Sequence, residues 1–414
     1  MAAPRNASLD LHSSDTMRVA FTNNFFPPRV SGSAHLTEEL AKHLAQLGVE
    51  VLVVTTTHGD APLDERRDGY RVVRLPSWAL PKTALSFNFD ISLAARPGNF
   101  RRLWRLLDAF APDVLHQHGQ FFDLTFMSSI WARRRRIPTA LSIHTRLEHP
   151  FWLYGRVLAI ADRTLVRASM AMTNPHVVVM DTPMSEYIGR RYAVPDDRMV
   201  PIPVGVDASK VDRSAGLAVR QRLGIGDRPV VLSLGHVIPV RDRLGLVEAL
   251  PALLEKRPDA LVVVVGSVYD DRFLRRAEAL GVRDHIMLTG SVPRAEVAVY
   301  VAAADVEVHD LQGHGLGTAS LEVLGAGVPV VAVVRPDNFP GIGLHSWENI
   351  VLVEPDDPRS LADAIVHLLD DPDLAHRVRV GQQRLVHDHF TLQVVTDAHV
   401  AMYERVLSTS GPTA

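Results

Sequence analysis

Beyond position 16 the chain alternates short apolar runs with longer amphipathic stretches. The Arg-Val-Ala-Phe-Thr run at 18–22 predicts a buried strand, residues 34–47 place apolar side chains at helical spacing up to Gly48, and 50–55 predict a second strand. The pattern returns at 113–116 and 138–143. A Pro-Ile-Pro-Val-Gly-Val-Asp segment at 201–207, with Pro201 and Pro203 ahead of Gly205, suits a linker better than a helix interior. A second series starts at 229–234 and continues at 260–265, 285–288 and 328–333, followed by helical stretches at 358–370 and 375–386. Short Val/Leu-rich strands alternating with amphipathic helices build parallel βαβ units. The expectation is an α/β protein of two Rossmann-like, doubly wound domains facing a cleft. The expected bounds are a leader at 1–16, a first domain at 17–204, a second at 205–389, and a C-terminal helix at 390–414 returning to the first.

A length of 414 residues fits two domains, each able to bury its own core. The 44 basic and 47 acidic groups leave a formal charge of -3, without the basic excess of a nucleic-acid-binding protein. With no cysteine there is neither a disulfide framework nor a thiolate metal site, which suits a cytoplasmic protein. Residues 1–16 include Arg5 but no apolar stretch, so they predict a floppy leader rather than a signal peptide. No run approaches the roughly 18 apolar residues of a membrane span, so any membrane contact is expected to be peripheral.

Ligands of open parallel sheets bind beyond the carboxyl ends of the strands, and the candidate motifs lie in such loops. After the first strand, Ser31 and Gly32 precede a helix expected near Ala34. Either their backbone N–H groups approach an anion, or the segment is an ordinary loop with Ser33 as helix cap. The strongest local signal begins His-Gly-Leu-Gly-Thr at 314–318. There Gly315 and Gly317 permit a tight turn into a helix over 318–324, a geometry that cradles phosphate or sugar. Glu322 either accepts two ribose hydroxyls or serves as a partner of the helix dipole. His116 and His118 alternate on one strand face, but no third ligand is spaced to complete a metal site. Hydrogen bonds to neighbours or ligand hydroxyls are the alternative for them. Four arginines at 133–136 beside Trp131 read either as a solvated helix end before Pro138 or as a contact for anionic lipid.

The 314–332 segment resembles the Glu-x7-Glu region of retaining GT-B glycosyltransferases of the group-1, family-4 type, which includes phosphatidylinositol mannosyltransferases. Further stretches follow that family's order. Phe-Pro-Pro-Arg-Val-Ser-Gly at 26–32 is similar to its N-terminal glycine loop, and Pro-Asp-Val-Leu-His-Gln-His at 112–118 to its Pro-Asp-Val-Val-His strand. Ile143 and His144 match its later strand-end histidine, and Pro-Val-Gly-Val-Asp at 203–207 its linker. Residues 235–242 align with its Gly-Arg-Leu and Lys-Gly stretch, and Leu-Thr-Gly-Ser-Val-Pro at 288–293 resembles its base-lining loop. The resemblance spans residues 17–407.

The resemblance implies metal-independent, retaining transfer of a hexose from a nucleotide-diphosphate sugar, a UDP-sugar ahead of a GDP-sugar, with no cofactor. It leaves the acceptor open among lipid, saccharide and small metabolite. Arg241 takes the place of the lysine that neutralises the donor diphosphate, and its fork can bind phosphate oxygens bidentately. Glu322 would hold the ribose, Val292 the base through its main chain, and Leu316, Gly317 and Thr318 the sugar and phosphates. Gly235 belongs to the same loop, Gly32 and Ser31 would lie near the phosphates, and His144 near the transferred sugar. There are two departures. His236 replaces an arginine that assists the phosphates, and His314 replaces the first Glu, which binds donor-sugar hydroxyls. An imidazole offers one donor and one acceptor where a carboxylate only accepts, so the donor-sugar contacts are expected to differ. A nucleotide-sugar epimerase and a non-catalytic nucleotide-sugar-binding protein are the alternatives on the same architecture.

Overall fold

The computed structural model describes residues 16–29, 31–80, 91–147, 152–207, 213–239, 241–309 and 315–410. Apart from Thr16, the expected leader lies outside these residues, and so does His314. The chain forms two compact units, Met1–His176 with Tyr403–Ala414, and Val177–Met402. This division falls ahead of the proline-bearing segment at 201–207.

The first unit contains strands β1 (Arg18–Asn23), β2 (Glu50–Thr56), β3 (Asp64–Arg67), β4 (Tyr70–Leu75), β5 (Trp78–Ala79), β6 (Ser92–Leu93), β7 (Val114–His118) and β8 (Thr139–Ser142). Its main sheet runs β8-β7-β1-β2-β4-β3. All neighbours are parallel except β3 and β4, a hairpin turned by Asp68 and Gly69, both at positive φ. Alternate residues Ala20, Leu52, Val54, Val73 and Leu115 pack on Leu103, Leu107, Leu124, Met127 and Trp131 from two covering helices. One of these, Pro97–Phe110, starts on a proline whose missing N–H costs the first turn nothing. The other, Asp123–Arg135, carries Arg133, Arg134 and Arg135 in its last turn, where cations favour the helix dipole. Trp131 is buried and donates from Nε1 to Asp108 at 2.9 Å, and Asp108 also pairs with Arg135.

In the second unit, β9 (His176–Val179), which begins at the boundary, pairs in parallel with β10 (Met199–Pro201). Pro201 therefore closes a strand. The main sheet comprises β11 (Val230–Leu234), β12 (Leu261–Val265), β13 (Ile286–Gly290), β14 (Val306–His309), β15 (Val330–Ala332) and β16 (Val351–Leu352). Its order is β13-β12-β11-β14-β15-β16, parallel throughout. Val230, Leu232 and Leu234 of β11 enter one core layer while Val231 enters the other, and β12 divides its residues the same way. Both faces of the sheet are therefore covered, as a doubly wound fold requires. Strand order reverses between β11 and β14. At such a switch point the helices diverge to opposite faces, which leaves a crevice at the carboxyl ends of the two strands.

Candidate functional site

The loops at the β11/β14 switch point carry most of the residues singled out from the sequence. β11 ends in Gly235, at a φ of 113°, whose N–H donates to the Val265 carbonyl at 2.9 Å. Gly266, after β12, lies so close that a Cβ there would stand 2.4 Å from the Gly235 carbonyl oxygen, so only glycine lets the two loops meet. The imidazole Nδ1 of His236 accepts the Ser267 backbone N–H at 3.0 Å. An accepting Nδ1 carries no proton, so the ring's proton is on Nε2. The backbone thus fixes the ring, and Nε2 is its remaining polar atom.

Arg241 is exposed, and its backbone N–H closes the turn onto the Ile238 carbonyl at 2.8 Å. Its guanidinium makes no hydrogen bond among the described residues. The neighbouring Arg243 is instead tied to the carbonyls of Leu234, Gly235 and Arg241. Gly315 follows at a φ of 103°, and Gly317 caps the helix Thr318–Ala326 without a side-chain hydrogen bond, which leaves the amino end of the helix open. A Cβ on Gly317 would lie 3.9 Å from Arg241 Nη2. The side chain of Leu316 is buried in the core, so this turn presents backbone outward. A fork-shaped cation beside the open N–H groups of a helix end has the chemistry to receive a phosphate-like anion.

Within the same helix, Glu322 receives a hydrogen bond from Arg294 Nη2 at 2.6 Å. Burial pushes its carboxyl above the ordinary range, opposed by Arg294 and reinforced by Asp207. Val292 is partly buried against the core, two residues before Arg294.

The first unit holds the other candidates. The side chain of Ser31, rather than that of Ser33, caps the helix Gly32–Gln46, accepting Ala34 N–H at 3.1 Å. The helix therefore starts two residues earlier than the periodicity predicts. A Cβ on Gly32 would meet no protein atom within 4 Å. His118 Nδ1 lies 3.1 Å from His144 Nε2, with the rings stacked at 5.3 Å. His116 engages Tyr403 through Nδ1 at 2.7 Å and the Ser142 hydroxyl through Nε2 at 2.8 Å. Both of its ring nitrogens are thus committed to hydrogen bonds. Among the described residues, one acid and histidine trio has ligand-type atoms within 4.8 Å of one another, His35, Glu38 and Glu39, and Glu38 there is already paired with Arg67.

Sequence periodicity alone misses β14, and with it Glu307 and His309 at the switch point. Glu307 is fully buried and accepts the Ser320 hydroxyl at 3.2 and 3.3 Å, while His309 Nδ1 stands 3.4 Å from its carboxylate. The signal that could have found the strand is the alternation of Val306 and Val308 with polar residues between two helical stretches.

Known proteins resemble this chain in sequence and fold. The family described as glycosyl transferases group 1 matches residues 218–383, and glycosyltransferase family 4 matches residues 30–210. A GDP-mannose-dependent alpha-(1-6)-phosphatidylinositol monomannoside mannosyltransferase of Mycolicibacterium smegmatis is 30% identical over 386 residues, covering 89% of this chain and 93% of its own. A D-inositol 3-phosphate glycosyltransferase of Kineococcus radiotolerans is 29% identical over 380 residues, with 83% of each chain covered. Among solved structures, Anabaena HepE, determined with UDP and glucose, has a TM-score of 0.70 at 17% identity, covering 94% of this chain and all of its own. Sucrose-phosphate synthase of Thermosynechococcus elongatus has a TM-score of 0.68 at 20% identity over 95% of this chain.

Fold and relatives together define a glycosyltransferase of the GT-B α/β class, one that takes its sugar from a nucleotide-sugar donor. The chain belongs to the group 1 and family 4 glycosyltransferases.

Proposed function

We propose that the chain transfers a hexose with retention of configuration, without a metal ion, from a nucleotide-diphosphate sugar to a membrane-presented acceptor. One observation carries the reading. The exposed Arg241 guanidinium, without a hydrogen bond among the described residues, stands beside Gly317 at the open amino end of the helix Thr318–Ala326. Positive charge fixed in advance, where a leaving diphosphate develops its negative charge, stabilises the transition state without any reorganisation at the moment of reaction. In the proposed reaction the bond from the anomeric carbon to the phosphate oxygen breaks, and the acceptor oxygen bonds to that carbon on the same face. The departing phosphate takes the acceptor's proton, so no protein nucleophile is required. Within this proposal residues 205–389 hold the donor, and the roles of Ser31 and Gly32 near the phosphates and of His144 near the transferred sugar rest on their sequence positions. The role of His314 at the donor sugar rests on its sequence position alone.

For the donor, the family resemblance favours a UDP-sugar, whereas relatives are named as GDP-mannose-dependent. GDP-mannose is therefore our first donor, with UDP-glucose second. Relatives named for phosphatidylinositol monomannoside and monoglucosyldiacylglycerol support a lipid acceptor. So does the helix Trp152–Ala161, which has no buried residue and exposes Trp152, Leu153, Val157 and Ile160. Arg156 and Arg163 lie exposed in the same stretch, and apolar and cationic groups side by side suit an anionic lipid surface. No helix among the described residues is long and apolar enough to cross a membrane, and a cytoplasmic, peripheral location is part of the proposal.

The test incubates the chain with each donor and with vesicles containing phosphatidylinositol or diacylglycerol, reads the product anomer by NMR, and repeats the assay in EDTA. An α-linked glycolipid formed at the same rate in chelator is expected. An inverted product, loss of activity restored by magnesium, or an altered donor sugar released without acceptor would reject the corresponding part.

A further inference from the structure

The pair Glu307 and His309 has so far been given no role beside Arg241 and the helix end. They occupy alternate positions of β14 and so share one face of the sheet. His309 is 6% exposed and Glu307 not at all. The carboxylate has two neighbours to hold it in place, the Ser320 hydroxyl and His309 Nδ1 at 3.4 Å. The other ring nitrogen, Nε2, is buried and has no hydrogen-bond partner among the described residues. A buried polar atom left unpaired is costly, and a native fold that keeps one usually has a use for it.

The direction of that nitrogen shows the use. A Cβ built on Gly317 would lie 3.6 Å from His309 Nε2 and 3.9 Å from Arg241 Nη2, so both groups converge on one point in front of the turn. Gly317 has an ordinary φ of -83° and its Cβ would meet neither atom closely. Neither backbone strain nor crowding by the protein therefore demands glycine there, and the space in front of the open helix end is left to an approaching group.

We propose that His309, oriented by the buried carboxylate of Glu307, donates a hydrogen bond from Nε2 to the donor's diphosphate alongside Arg241. The inference rests on the glycosyltransferase reading and extends it by one catalytic residue, His309, and one positioning residue, Glu307. With the Glu307 carboxylate 3.4 Å from Nδ1 and a bound diphosphate before Nε2, the ring would face an acceptor at each nitrogen. The cradle then has three kinds of donor: a guanidinium fork, an imidazole N–H and the helix amides.

Calorimetry with GDP, UDP, guanosine and uridine on the wild type, His309→Gln, Glu307→Gln and Arg241→Ala tests this. His309→Gln should weaken the preferred nucleoside diphosphate by about tenfold or more and leave the matching nucleoside unchanged, because the lost bond goes to phosphate. Glu307→Gln should lower diphosphate affinity in the same direction and shift the His309 ring-nitrogen NMR signals in the free protein. In the wild type those signals should move on adding the diphosphate but not the nucleoside, a readout that needs no variant. If Arg241→Ala weakens the diphosphate while His309→Gln does not, and the ring signals stay still, His309 has no part in binding and only this inference falls. If the wild type binds neither diphosphate, the donor-site reading falls with it.

Discussion

Tyr403 and His116 lie 287 positions apart in the chain, and the phenol oxygen of one sits 2.7 Å from Nδ1 of the other. His116 is in β7, at the centre of the first unit's sheet, and Tyr403 belongs to the last helix, Leu392–Ser410. Burial pushes the Tyr403 hydroxyl far up, so it is a neutral phenol throughout the working range of pH. Tyr403, in the stretch Tyr403–Ala414 that belongs to the first unit, thus contributes to that unit's interior.

That bond predicts a stability cost. Tyr403→Phe keeps the ring but strips His116 of one partner in a fully buried setting. The variant should lose about 1–3 kcal/mol, the desolvation penalty of an orphaned buried group. Chemical denaturation with unchanged slope would record it, and a midpoint equal to that of the wild type would show that a water replaces the phenol.

Arg241 predicts a binding cost. Its guanidinium is exposed and unpartnered among the described residues, so removing it breaks no internal contact and should leave stability within about 0.5 kcal/mol of wild type. Nucleoside-diphosphate affinity should nevertheless fall by at least about tenfold in Arg241→Ala, since a charge-assisted bond contributes about 1.5–3 kcal/mol. Titration calorimetry separates the two quantities. Unchanged affinity in the folded variant would remove Arg241 from the site.

Much of the fold and of this site is legible in the sequence, for local reasons. Strands such as Leu261–Val265 are unbroken, largely β-branched runs, and the Gly315/Gly317 turn announces itself through its glycines and the helix that follows. β14 is easily missed because Glu307 and His309 interrupt its apolar run and leave only the alternation with Val306 and Val308 as its signal. The carboxylate buried there accepts a hydrogen bond from Ser320, thirteen residues away in another element, which no local pattern announces. The Arg294 partner of Glu322 escapes for the same reason, with 28 positions between them. Ser31 and Ser33 are equally good caps on paper, and the backbone conformation decides between them.

Glu322 predicts a donor preference and its pH dependence. A carboxylate accepts from both ribose hydroxyls, so a 2′-deoxyribo donor should react about ten- to a hundredfold less well. Because burial raises the Glu322 carboxyl, it protonates at a higher pH than an ordinary glutamate. Donor affinity should therefore begin to fall, as pH is lowered, before ordinary carboxylates titrate, and Glu322→Gln should abolish that part of the profile. Equal kinetics with ribo and deoxyribo donors would sink the assignment.

His399 predicts the acid limb of stability. It lies on the last helix, 5% exposed, with Nδ1 at 2.8 Å from the Val395 carbonyl of the preceding turn. Burial lowers its pKa from 6.5 to about 4, partly opposed by that backbone bond. The unfolded chain therefore binds a proton at this residue between about pH 6.5 and 4 while the folded chain does not, so stability must fall as pH drops through that window. Above the window the contribution is complete; below about pH 4 both states are protonated and no further loss comes from this group. The gap corresponds to about 3 kcal/mol, lost mostly before carboxylates protonate. His399→Gln removes the titration at some cost in packing, so its stability near neutral pH should be lower but its decline from pH 6.5 to 4 shallower by about that amount. Denaturant unfolding of both chains across this range makes the comparison, and parallel pH profiles would show that His399 ionises in the folded protein as readily as in the unfolded chain.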